Sequence, residues 1–112
     1  MTEKLEQRQC TPCRGGVPPL SEAAAKDYLV DLPDWHLAGD AKRISRDFRF
    51  KNFAESLAFV NEVGAIAEAE GHHPDVSFGW GYASITLQTH KIDGLHENDF
   101  ILAAKIDAVA QR

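Results

Sequence analysis

Three imidazoles and two carboxylates lie close enough along this chain to share one site. Glu68 precedes the triplet His72-His73-Pro74, His90 follows further on, and Asp99 opens the last helical pattern. Four of the five histidines fall between Glu68 and Asp99. Imidazoles titrate near neutral pH, so a pair of them can give and take protons in one reaction. Glu68 stands one helical turn ahead of His72, and the two share a face if the helix runs that far. His90 sits at the end of a hairpin that returns beside its own start, and so beside the triplet. Each residue also has a purely structural reading: His90 as a polar strand-end residue, Asp99 as a carboxylate at a helix start, Glu68 as a solvated helix residue. Three histidines and a carboxylate could hold zinc, but neither HxH nor HxxxH spacing occurs. Acid–base catalysis without a metal fits the spacing better. His36 and His96 are assigned to structure.

The elements that must position these groups follow from periodicity. Ser21 caps a helix in SEAAAKDYLVDL, which Leu32-Pro33-Asp34 stops. Trp35–Ala38 and Ile44–Phe50 form a hairpin about Gly39-Asp40. Asn52 caps a long helix with Glu55 in the capping-box position, and Gly71 ends it. On that helix Phe53, Leu57, Val60 and Ala67 make one apolar stripe, which Phe59, Val63 and Ile66 widen. The excess suggests a second copy of the helix as partner. Val76, Phe78 and Trp80 alternate along one strand, and Ala83, Ile85, Leu87 and Thr89 along the next. Gly79 and Gly81 leave room beside Trp80. His96 or Asn98 starts the final helix. The order α-β-β-α-β-β-α predicts a single α+β domain: a four-stranded antiparallel sheet with three helices packed on one face.

At 112 residues the chain has room for one domain and one core. With 44% hydrophobic and 26% charged residues it has the balance of a globular protein. A net charge of −5, with twelve basic residues forming no run, argues against direct nucleic-acid binding. No apolar run approaches the roughly 20 residues that span a bilayer. MTEKLEQRQC lacks a signal-peptide profile, so the cytoplasm is the expected location. Residues 1–17 read as a flexible N-terminal tail or a surface strap. They carry the only cysteines, Cys10 and Cys13, which are either incidental thiols or a labile disulfide or metal site.

The pattern formed by Glu68, His72, His73, Pro74, Trp80, His90 and Asp99 resembles the signature of the pterin-4a-carbinolamine dehydratases. Pro18–Ser21, Leu32–Trp35, Phe48–Phe53, Thr89–Leu95 and Asp99–Asp107 extend the resemblance from Pro18 to the end of the chain. It implies loss of water from 4a-hydroxytetrahydropterin to give quinonoid dihydropterin, recycling the pterin used by aromatic amino-acid hydroxylases. It also implies no metal or organic cofactor, and dimers or tetramers through the helix at 52–70. By the same resemblance His72 and His90 are the acid–base pair, and Glu68 orients or tunes an imidazole. His73 positions the pterin, Asp99 bonds the pterin or orients His90, and Trp80 is a stacking surface or a core aromatic. Which histidine is acid and which base stays open. Where the family carries Ser or Thr, this chain has His96, a weaker helix cap by about 1 kcal/mol. An animal member also acts as a dimerisation cofactor of a homeodomain transcription factor, which would use the long helix.

Overall fold

The computed structural model describes residues 4–11 and 15–111. Three helices, α1 (Glu22–Leu29), α2 (Phe53–Glu70) and α3 (Glu97–Ala110), join four strands. The strands are β1 (His36–Leu37), β2 (Ile44–Arg49), β3 (Asp75–Gly79) and β4 (Tyr82–Leu87). The sheet is antiparallel throughout, in the order β1-β2-β4-β3. This is the α+β architecture that the alternating periods predicted.

Pairing of Ile44 with Leu87 and of Phe48 with Ala83 puts the apolar residues of β2 and β4 on one face, where they are buried. The helices cover that face. Phe48 meets Phe59 of α2 with ring centroids 4.7 Å apart, and Tyr28 of α1 stacks on Phe100 of α3 at 4.7 Å. The other face carries Ser45, Asp47, Ser77, Ser84 and Thr86, as expected for a sheet solvated on one side.

The buried stripe of α2 is Ser56, Phe59, Val63 and Ala67. This corrects the sequence reading, which offered Phe59, Val63 and Ile66 as surplus for a second copy. Phe59 and Val63 fill the chain's own core, and Ile66 packs partly buried against it. The apolar residues left outside are Phe53, at 46% exposure, and Leu57, at 39%. Ser56 misled the reading because it is polar, yet its hydroxyl is satisfied by donating to the Asn52 carbonyl at 3.1 Å.

The N-terminal segment is no free tail over residues 4–11. A 3-10 turn at Leu5–Gln7 lies along α3, and Arg8 pairs with Glu97 at 2.8 Å. The Cys10 amide donates to Glu70 Oε1 at 2.8 Å. Thr11 N donates to Asn98 Oδ1 at 2.9 Å, and Asn98 Nδ2 returns a bond to the Thr11 carbonyl at 2.6 Å. The strap thus joins the end of α2 to the start of α3. Cys10 Sγ lies 3.6 Å from the Asn98 carbonyl, and burial, with Glu70 adding, pushes its thiol up to about 12. Cys13 lies outside the described residues.

Candidate active site

Helix α2 ends in a turn that sorts the two adjacent histidines to opposite sides. Gly71 adopts a left-handed conformation (φ 66°), which glycine reaches without a Cβ penalty. The His72 amide then donates to the Ala67 carbonyl at 3.2 Å and the Gly71 amide to Glu68 at 3.4 Å, closing a Schellman motif. The reversal turns His72 inward and His73 outward. Glu68 consequently meets His73, with Oε2 2.5 Å from Nε2, and both side chains are exposed. The helical spacing that pointed Glu68 at His72 fails because the helix ends at Glu70.

His72 is buried against Asp99, its Nε2 2.6 Å from Oδ1. Asp99 is fully buried. Its other oxygen accepts from the Thr89 hydroxyl at 2.8 Å and from the His96 amide at 3.0 Å. The carboxylate therefore serves both the site and the first turn of α3. His96 Nδ1 accepts from the Asn98 amide at 3.0 Å, so the histidine caps the helix itself and the expected weakening does not arise. Asp99 faces His72, not His90 as one sequence alternative had it.

His90 starts a 3-10 turn at His90–Ile92, after β4 has stopped at Leu87. A bridge between Thr89 and Gly94, with Thr89 N donating to the Gly94 carbonyl at 2.8 Å, pins the base of that turn. His90 is exposed. His72, His73 and His90 line one cavity of about 400 Å³ together with Gly71, Gln88, Thr89 and Lys91. That volume lies in the range of small-molecule sites. The sequence reading missed Thr89 as a site residue, although its place at the end of the inward row Ala83-Ile85-Leu87 marked a hydroxyl aimed at the core.

Trp80 lies elsewhere. It occupies the tip of the β3–β4 hairpin beside Gly81, which takes φ 83°, and it is 72% exposed. The five residues of β3 separate it from the histidine junction by about 17 Å of strand. Within one chain it neither lines the cavity nor enters the core.

A buried carboxylate holds one imidazole at a small cavity that two further histidines line, in an α+β domain, and such groups can exchange protons with a small molecule. Comparison with known proteins gives that domain a family. A family model described as pterin 4 alpha carbinolamine dehydratase matches residues 18–109. The chain is 56% identical over 110 residues to a Cupriavidus pinatubonensis protein named for pterin-4-alpha-carbinolamine dehydratase, covering 98% of this chain and 95% of the other. A Methylococcus capsulatus protein bearing the same name is 56% identical over 106 residues, 95% of this chain and 93% of its own. Among solved structures, a transcriptional coactivator/pterin dehydratase from Brucella melitensis superposes with a TM-score of 0.78 at 30% identity, over 82% of this chain and 98% of that one. A pterin dehydratase-like protein described as a RuBisCO assembly factor in the alpha-carboxysome gives 0.60 at 31% identity, over 69% and 89%. The chain belongs to the pterin-4a-carbinolamine dehydratase family, and that membership supports a dehydratase activity.

Proposed function

We propose that this protein removes water from 4a-hydroxytetrahydropterin to give quinonoid dihydropterin, with His72 and His90 as the acid–base pair. The observation that carries the reading is His72, backed by the buried Asp99, lining one cavity together with His90. The carboxylate behind His72 stabilises the imidazolium formed when that ring takes a proton, which favours His72 as the base at N5. As the N5 proton leaves, the N5=C4a double bond forms and the C4a–O bond breaks. His90 supplies the proton that lets hydroxide depart as water. Solvent then returns the protons to their starting positions. His73, oriented by Glu68 at the cavity rim, positions the pterin.

The reaction regenerates the pterin consumed by aromatic amino-acid hydroxylases and takes place in the cytoplasm, with no metal or organic cofactor. No helix among the described residues is long and apolar enough to cross a membrane. The exposed part of α2 around Leu57 is where a second copy packs to make a homodimer or tetramer.

The test follows dehydration of freshly generated 4a-hydroxytetrahydropterin by ultraviolet absorbance, with chelator present. Wild type accelerates the reaction, and His72→Ala and His90→Ala each lose about 10²-fold or more in kcat, the scale of a lost proton donor or acceptor. No acceleration by wild type rejects the reading.

A further inference from the structure

Behind His72 and Asp99 stands a third group. The Thr89 hydroxyl, itself buried, donates to Asp99 Oδ2 at 2.8 Å, and the His96 amide donates to the same oxygen at 3.0 Å. An amide N–H can only donate, and the hydroxyl spends its one proton on this contact, so Oδ2 acts purely as an acceptor. Oδ1 faces His72 Nε2 at 2.6 Å. A carboxylate fixed as acceptor in this way holds a proton on the ring nitrogen that faces it, here Nε2, as the orienting carboxylate of serine-protease triads does at Nδ1. Nδ1 is then the nitrogen left for the cavity that His72 lines.

We propose that Thr89 is a positioning residue of the dehydratase site: its hydroxyl anchors Asp99, Asp99 fixes the Nε2–H tautomer of His72, and Nδ1 is the atom that exchanges the substrate proton. The proposal rests on the dehydratase reading given above. Thr89 also governs the turn that carries His90. Its carbonyl accepts from the amides of Ile92 at 3.2 Å and Gly94 at 3.4 Å, closing the turn that carries His90. One residue therefore sets both imidazoles, His72 through its side chain and His90 through its backbone. Substitution of the side chain separates the two, since the backbone bonds survive it.

Thr89→Val keeps the shape and removes the hydroxyl, whereas Thr89→Ser restores it. The readouts are kcat and KM in the dehydration assay, and the His72 ring tautomer from long-range ¹H–¹⁵N correlation spectra. In Thr89→Val, kcat falls about tenfold to a hundredfold, the range set by losing a hydrogen bond to a charged group. KM stays within about threefold, as for a loss felt in the transition state. The His72 spectrum changes from Nε2–H to a mixture of tautomers, and Thr89→Ser recovers both rate and spectrum. Unchanged kcat and tautomer in Thr89→Val overturn the proposal, as does a Thr89→Ser variant no better than the valine. A wild-type spectrum reading Nδ1–H overturns it without any variant. If wild type does not dehydrate the pterin, the functional reading falls alone, because the wild-type and Thr89→Val spectra still decide the tautomer.

Discussion

Val63 is the sharpest point at which the structure divides a core from a surface. It is fully buried, while Leu57, less than two turns earlier on α2, is 39% exposed. Val63→Ala removes two methyl groups, and their transfer to water costs about 1.6 kcal/mol. The space they leave, roughly 50 Å³, adds about 1 kcal/mol, because the packed sheet and α3 relax only in part. A loss near 2.5–3 kcal/mol is a large share of the stability of a domain this size. It lowers the melting temperature by about 10 °C or more. Leu57→Ala, already half in water, costs about 1 kcal/mol or less in the single chain. Thermal unfolding by circular dichroism at two protein concentrations separates folding from assembly, because only assembly makes the midpoint depend on concentration. A Val63→Ala variant melting with wild type refutes the assigned buried face. So does a concentration-independent loss larger in Leu57→Ala than in Val63→Ala.

Two further outcomes check the site and the strap. Trp80→Ala leaves kcat and KM within about threefold, since the hairpin tip lies far from the cavity; a loss of tenfold or more in the absorbance assay would return Trp80 to the site. Cys10, with its thiol raised from 9.0 to about 12 by burial and by Glu70, stays protonated at neutral pH. In a Cys13→Ser background its alkylation at pH 8 is therefore much slower than that of a free thiol. A native pKa above the unfolded one means that stability is level below about pH 9 and declines as pH rises from about 9 towards 12. Rapid alkylation at pH 8, followed by mass spectrometry, contradicts this.

The sequence made the architecture legible because its signals were local. Asn52 and Gly71 bound α2 as their capping chemistry dictates, and alternation placed Ile85 and Leu87 inward. What it concealed depended on rotation or on distance. A seven-residue apolar set does not say which stripe faces the sheet, and the deciding residue was the polar Ser56. Glu68 and His72 are correctly spaced for one helical face, yet a single left-handed glycine hands Glu68 to His73. Asp99 reads as a helix-start carboxylate and is one. Its second role, against His72, crosses 27 residues of chain and becomes visible only in three dimensions. The strap was one of two readings of residues 1–17, and its partners in α2 and α3 were out of reach for the same reason.

That strap also imposes an order on synthesis. Residues 6 to 11 are made before anything they hold: Glu70 lies 60 positions beyond Cys10, and the partners in α3, Glu97, Asn98 and Lys105, are separated from the strap by 87 to 99 positions. At about 5–20 residues per second, the ribosome takes roughly 5–20 s to deliver those partners. Loop closure across so much chain is among the slower contacts to form. The nascent protein thus keeps its opening segment undocked while the hairpins and α2 assemble. The join between α2 and α3, flanking His72 and Asp99, is fastened only when the last helix exists.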